Sequence, residues 1–293
     1  MARMRHSFET ALTRLAVAVA NCLSAKGADR FAAGLGSFAF HLVRSRRKIA
    51  DDNLKQAFGD RYTGKERAAI VKAVFQNVAR TFVELARLRQ YDRATAGELF
   101  EVEGVDPFQQ SHPEGQGRVA VTAHFGCWEL SGGWLALHED PVAALVLPQH
   151  NRAVNDLVNN LRLRMGLDLI PVEGTAVRAV FKALKAGYIV VVVADQHAPA
   201  QSLILDFFGR KAAVAKGPAL FAVRSGCPLI PYLMRRDRYD RHVIMSGEPI
   251  YPPNSGDEEQ DIEIMTRSYL GFFESLIEKY PEQWMWTHRR WKL

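Results

Sequence analysis

The stretch Arg118-Val119-Ala120-Val121-Thr122-Ala123-His124-Phe125-Gly126-Cys127-Trp128-Glu129-Leu130 ends a short apolar run at a histidine and sets a carboxylate five positions on. Histidine is the natural general base near neutral pH. It works best when a carboxylate accepts its Nδ1 proton, which fixes tautomer and ring orientation. Glu129, on the first turn of a following helix, is expected to reach back to His124 in this way. Nε2 is then left for a hydroxyl that the substrate itself brings. Spacing alone is weak support: nine His and 32 acidic residues in 293 positions give about one such pair by chance. A buried histidine at a strand end is the alternative. Cys127 reads either as a nucleophile or as a small packing residue, and packing is the better reading.

The elements that position these residues follow from periodicity. Val119–Thr122, Val142–Leu147, Leu167–Pro171 and Tyr188–Ala194 read as strands, with helices near 127–138, 151–165 and 174–186 between them. The last helix repeats Val177, Val180, Phe181 and Leu184 and stops at Gly187. This βαβαβαβ order predicts a largely parallel sheet covered by helices. Tyr188-Ile189-Val190-Val191-Val192-Val193 is uniformly apolar, as a central strand buried on both faces would be. Pro228–Met234 and Arg241–Ser246 add strands, and 257–280 adds a closing helix. Asp195 directly follows the apolar strand, so it shares a strand carboxyl end with His124, where functional groups of open α/β sheets gather. Upstream, a long helix is expected over 63–90, with Thr63 and Glu66 as a capping box and Ile70, Val74, Val78, Phe82 and Leu85 as its apolar stripe.

Bulk composition sets limits. Hydrophobic residues make up 48% and charged residues 24% of the chain, which suits a globular protein with a sizeable core. Three scattered cysteines, Cys22, Cys127 and Cys227, argue against a disulfide framework and offer no zinc-ligand spacing. The basic excess is local. Residues 1–50 carry nine Lys and Arg against Glu9 and Asp29, so the remaining chain is near neutral overall. Residues 8–23 and 30–43 are strongly apolar, but neither supplies the ~20 uninterrupted apolar residues that span a bilayer. Apolar segments flanked by cations suit helices lying in a membrane interface; two amphipathic core helices are the other reading. Nucleic-acid binding would instead interleave basic clusters with exposed aromatics. Ala18-Val19-Ala20 resembles a signal-peptide cleavage site, but the apolar run before it is too short, and cleavage is not expected. Gly59 to Lys65 has P-loop spacing and Gly34 to Ala39 imitates a dinucleotide fingerprint. Neither follows a strand, so both are read as chance matches. The polar loop 109–117 is the one plausible seam. No G-x-S-x-G element supports a serine hydrolase.

His-Phe-Gly-Cys-Trp-Glu at 124–129 resembles the His-x4-Asp/Glu block of glycerolipid and lysophospholipid acyltransferases, and most of all that of the lipid A late acyltransferases. The resemblance continues through Asn53-Leu54-Lys55-Gln56-Ala57-Phe58, Asp195-Gln196, Phe207-Phe208-Gly209 with Lys216-Gly217-Pro218-Ala219, and Pro281-Glu282-Gln283-Trp284-Met285-Trp286-Thr287-His288-Arg289-Arg290-Trp291-Lys292. The last block is the most specific. The resemblance implies transfer of a fatty acyl chain from an acyl thioester, on acyl carrier protein or coenzyme A, to a hydroxyl of a lipid A precursor or related glycolipid. It implies His124 as base with Glu129 orienting it. The family's helix arginine falls at Arg162 or Arg164, with Arg162 favoured because it lies off the stripe of Val154, Val158, Leu161 and Met165. Asp195 and Lys216 fall at binding positions, and His288, Arg289 and Arg290 would hold the acceptor head group or dock the C-terminus. No metal or bound cofactor is implied; the thioester is a co-substrate. Expected partners are a membrane lipid acceptor, acyl carrier protein and the membrane interface, with no nucleic acid. The implied location is the cytoplasmic face of the bacterial inner membrane, held peripherally. Leu147-Pro148-Gln149, Cys127 and Lys216 depart from the common pattern and leave the acceptor open. Phosphatidylinositol mannoside or a lysophospholipid are alternative acceptors, and a non-catalytic membrane-binding protein is the alternative of another class. The expected organisation is an α/β fold with a largely parallel or mixed central sheet flanked by helices. Residues 1–48 would form a membrane-interface helical segment and residues 49–293 one acyltransferase domain.

Overall fold

The computed structural model describes residues 2–87, 97–109, 116–138, 140–197, 202–238 and 240–292, with side chains from residue 9 onward. Most of the loop 109–117 and the end of the helix expected over 63–90 lie outside them. The chain opens with helices α1 (Ala2–Cys22), α2 (Ala25–Leu42), α3 (Arg44–Phe58) and α4 (Gly64–Ala86), followed by strand β1 (Phe100–Glu103). Then come β2 (Arg118–Thr122), α5 (Trp128–Leu135), β3 (Val142–Val146), α6 (Arg152–Arg164), β4 (Leu167–Pro171), α7 (Ala176–Lys185) and β5 (Ile189–Val193). The chain continues through β6 (Ser202–Phe207), β7 (Arg210–Ala215), α8 (Gly217–Ser225), β8 (Leu229–Arg238), β9 (Arg241–Ser246) and α9 (Glu258–Lys279).

The main sheet has the order β1-β9-β8-β2-β5-β3-β4. From β8 to β4 every pair is parallel, and β9 turns back antiparallel to β8. A mixed, mostly parallel sheet flanked by helices is what the sequence pattern predicts. β2 and β5 lie side by side, with Thr122 opposite Val193. Successive β2 side chains point to opposite faces. Val119 and Val121 join the core beneath α4, α8 and α9, while Ala120 joins the one beneath α5. Both faces are covered, which is why β2 and β5 read as continuous apolar runs.

Thr63 and Glu66 form the expected capping box: the Thr63 hydroxyl accepts from the Glu66 amide at 3.3 Å, and the Glu66 carboxylate accepts from the Thr63 amide at 2.7 Å. The stripe on α4 differs from expectation. Phe82 is half exposed, whereas the polar Asn77 and Thr81 are buried. They face inward because they donate to the backbone carbonyl of Gly126, in the turn after β2. Val177 on α7 is also exposed, and Val180 and Leu184 carry that helix's packing. Gly59 caps the end of α3, so the P-loop spacing lies between two helices and not after a strand. α2 crosses α4 closely at Gly36, where a Cβ would come within 2.6 Å of the Phe75 carbonyl oxygen. No helix among the described residues is long and apolar enough to cross a membrane.

At the far end of α5, His138 pins the segment before β2. Its Nε2 lies 2.9 Å from Asp106 Oδ2 and its Nδ1 lies 3.1 Å from the Leu135 carbonyl oxygen. Burial pushes the His138 pKa down, but the Asp106 carboxylate outweighs it and raises the pKa overall. A raised histidine contributes stability below its unfolded value of about 6.5 and loses that contribution as pH climbs through the higher folded value. His138→Gln is therefore expected to destabilise by about 1.5–3 kcal/mol at pH 6, the range for a hydrogen bond to a charged group. The gap should narrow by pH 9. Thermal unfolding of both proteins at the two pH values checks this, and a gap that widens with pH contradicts it.

Candidate active site

His124 lies two residues beyond β2 and Asp195 two residues beyond β5. Adjacency of those strands brings the two side chains together across 71 positions of sequence. His124 Nδ1 is 2.7 Å from Asp195 Oδ1, and the His124 amide donates to Asp195 Oδ2 at 3.0 Å. The indole Nε1 of Trp284 donates to the same Oδ2 at 2.7 Å. Asp195 is almost wholly buried. Burial alone would raise its pKa, but the facing imidazole and the three donors outweigh it and hold the carboxyl below the ordinary range. With Nδ1 committed to Asp195, the tautomer is fixed and Nε2 carries the lone pair. The His124 side chain is 22% exposed, so part of the imidazole reaches the surface. Burial lowers the His124 pKa, yet the Asp195 charge prevails and raises it, helped weakly by Glu129 and opposed by Arg162.

The orienting carboxylate expected at Glu129 is thus Asp195 in the structure. Glu129 is held by Arg162 in a two-pronged pair, Nη2 to Oε1 at 2.8 Å and Nε to Oε2 at 3.0 Å. Arg162 also donates to Asn159 Oδ1 at 3.3 Å. The physical reason is reach. Glu129 on the first turn of α5 points towards α6, whose Arg162 offers a bidentate partner, and Asp195 already fills the one donor position of the ring. Glu129 and Arg162 therefore act on His124 only through their opposed charges. Of the helix arginines, the favoured Arg162 is brought into the site, and Arg164 is exposed away from it.

The turn that carries His124 is clamped from behind. Gly126 has φ +53°, and a Cβ there would fall 1.9 Å from the Met234 carbonyl oxygen, so only glycine fits. The Gly126 amide donates to the Gln283 carbonyl at 2.8 Å, and the Met285 amide donates to the His124 carbonyl at 2.9 Å. The Gly126 carbonyl accepts from Thr81 Oγ1 at 2.8 Å and Asn77 Nδ2 at 3.3 Å. Beneath this lies Arg236 on β8. Its Nε donates to Glu84 Oε1 at 2.7 Å, and its Nη atoms reach Glu84 Oε2, Thr81 and Asn77. Glu84, Cys127 and His242 form a group with the ligand chemistry of a metal site. Arg236 already takes both oxygens of Glu84, so the cation of this cluster is a guanidinium. Burial, with Glu84 alongside, pushes the Cys127 thiol far up, which keeps it protonated and fits the packing reading.

The remaining expected residues fall as follows. Lys216 caps α8 and pairs with Glu259 at 3.0 Å, and it makes no contact with His124, Asp195 or Glu129. Arg290 is 1% exposed, donates to the Ala213 carbonyl at 2.7 Å and lies over the Phe207 ring. A side chain so enclosed cannot touch a head group directly, which corrects that expectation. Arg289 is exposed and lines a surface groove with Lys48, Asn53 and Lys292. His288 is half-buried; burial lowers its pKa against an opposing pull from Asp195, so it sits within the electrostatic reach of the site. Sequence reasoning missed Trp284 and Gln283. The signal was the C-terminal block itself, the most specific in the chain, whose function is to brace Asp195 and the His124 turn.

The bacterial lipid A biosynthesis acyltransferase family model matches residues 3–293. The chain is similar to the lipid A biosynthesis lauroyltransferase of Escherichia coli K12, with 27% identity over 90% of this chain and 84% of that protein. The palmitoleoyltransferase of the same organism is 26% identical over 88% and 82%. A phosphatidylinositol mannoside acyltransferase of Mycolicibacterium smegmatis is 23% identical over 76% and 72%. With a family match spanning nearly its whole length, the chain belongs to the bacterial lipid A biosynthesis acyltransferases.

Proposed function

We propose that this chain moves a fatty acyl group from a thioester, on acyl carrier protein or coenzyme A, to a hydroxyl of a lipid A precursor or related glycolipid. The observation that carries this reading is the His124–Asp195 pair, with Nδ1 tied to a buried carboxylate and the lone pair left on Nε2. In the proposed step, the acceptor O–H gives its proton to His124 Nε2 as its oxygen bonds to the thioester carbon. The carbonyl electron pair moves onto oxygen. When the tetrahedral species collapses, the C–S bond breaks and the departing thiolate takes the proton back from Nε2. Asp195 stays ionised and steadies the imidazolium. Trp128 packs edge-on to His124 with centroids 5.3 Å apart, and half-exposed Phe82 packs on Trp128 at 6.2 Å. This aromatic wall leads from the reacting nitrogen to the surface and suits an acyl tail. The test is incubation with acyl carrier protein and coenzyme A thioesters and candidate lipid hydroxyl acceptors, with products read by mass spectrometry. Acylated lipid is expected, and its absence from every pairing counts against the reading.

Membrane association belongs to the same proposal. α2 buries Ala28, Ala32, Gly36 and Phe40 against the domain and turns Leu35, Phe38 and Leu42 outward, the last two 66% and 67% exposed. Leu12 and Leu15 project likewise from α1, and Arg14, Arg30, Arg44 and Arg46 are exposed nearby in sequence. Apolar ridges flanked by cations fit the headgroup boundary of an anionic bilayer. Replacing Phe38 and Leu42 together by Glu is expected to weaken binding to anionic vesicles at least 10-fold, since each buried side chain contributes about 1.5–3 kcal/mol. Co-sedimentation reads this, and unchanged binding rules out the ridge.

A further inference from the structure

Resting on the acyl-transfer reading above, we propose that Gln196 is a catalytic residue whose carboxamide N–H donates to the thioester carbonyl oxygen as it becomes an oxyanion. Gln196 immediately follows Asp195, and its Nε2 lies 3.3 Å from His124 Nε2 and 3.4 Å from His124 Nδ1. Nδ1 already gives its proton to Asp195, so it has no lone pair to accept a second donor. The near-equal distances also fix where the amide nitrogen lies. In the plane of the ring, such a position would drive it into the carbon between the two nitrogens. It therefore lies over the ring face, and the in-plane lone pair of Nε2 stays clear for the acceptor hydroxyl.

That placement has a chemical consequence. The acceptor oxygen approaches Nε2 in the ring plane, and the thioester carbon is placed on the ring face over which Gln196 lies. On the Gln196 side, the carbonyl oxygen meets an N–H donor held one residue from the buried Asp195. The electron pair pushed onto that oxygen by nucleophilic attack is then met by a preformed dipole. Such donors act on the transition state more than on bound substrate. Arg162 is a poorer candidate, because its fork is already engaged by Glu129 and Asn159. Among the described residues Gln196 has no comparable commitment, since an N–H over a ring face is weakly held and turns easily to a stronger acceptor.

The experiment compares wild type with Gln196→Ala and Gln196→Glu in full-length protein. Lauroyl-coenzyme A and lauroyl-acyl carrier protein serve as donor probes, and thiol release is followed both with and without lipid acceptor. Release to water passes through the same oxyanion, so the assay does not depend on finding the right acceptor. Gln196→Ala should lower kcat about 10²–10³-fold with KM changed less than about threefold, the pattern for loss of one oxyanion donor. The acid limb of its pH profile should stay in place, because Asp195 still holds the ring. Gln196→Glu should be equally impaired at pH 8. Its activity relative to wild type should rise towards acid, as the protonated carboxyl regains a donor. A residue that only packs on the ring would give no such recovery and would move the acid limb. Values of kcat within threefold of wild type for Gln196→Ala, or a Gln196→Glu ratio flat with pH, overturn the proposal. No thiol release by wild type from either donor, with or without acceptor, overturns the acyl-transfer reading itself and this inference with it.

Discussion

His124→Ala is expected to lose about 10²–10⁴-fold in the rate of acyl transfer, the span that a positioned general base supplies. The fold should persist. His124 sits at a strand end with part of its side chain exposed, and its backbone contacts to Met285 and Asp195 do not use the ring. A retained fold with lost turnover is the expected combination, with the melting temperature lowered because buried Asp195 loses the ring as a partner. Full turnover would remove His124 as the base.

The largest effect on stability is expected from Glu84 and Arg236. Arg236 is 7% exposed, and Glu84 faces it with both carboxylate oxygens. Burial alone would raise the Glu84 pKa, but the guanidinium overcomes this and keeps the carboxyl ionised. Arg236→Met leaves that charge buried without its partner, and Glu84→Gln strands the cation; breaking such a pair costs about 3–5 kcal/mol. The double change Glu84→Gln with Arg236→Met should be milder than the sum of the singles, because neither charge is left unpaired. Chemical denaturation of the three variants measures this. Strict additivity would show that the ion pair is not the unit that matters. The singles should also lower activity before they unfold, since Asn77 and Thr81 sit between this pair and the Gly126 carbonyl.

Much of this architecture was legible in the sequence, and the limits have physical causes. The main-sheet strands after residue 117 fall within a few residues of where periodicity sets them, because a two-sided buried strand must be continuously apolar. The hairpin β6–β7 was not legible. Its two-residue turn is Phe208-Gly209, both at positive φ. A phenylalanine at the first position masks the Asn-Gly or Asp-Gly signature that such turns usually carry. The partner of His124 shows a second limit. Sequence patterns locate strand ends, and both His124 and Asp195 were visible there. They do not give strand order, and it is the adjacency of β2 and β5 that selects Asp195 over the nearer Glu129. Asn77 and Thr81 mark a third limit. Polar residues on a buried helix face look like interruptions until the backbone they satisfy is known.

The most direct test of the central claim, that Asp195 tunes and orients His124 as the base, is the pH dependence of single-turnover acyl transfer by wild type and Asp195→Asn. In wild type the rate should fall as pH drops through a His124 value above the ordinary 6.5 or so, since the base must be unprotonated and the carboxylate raises its pKa. Asp195→Asn should shift that fall towards lower pH and cut the plateau by about 10³–10⁴-fold, as tautomer control is lost. An Asp195→Asn profile superimposable on wild type, with Glu129→Gln producing the shift instead, would contradict the account.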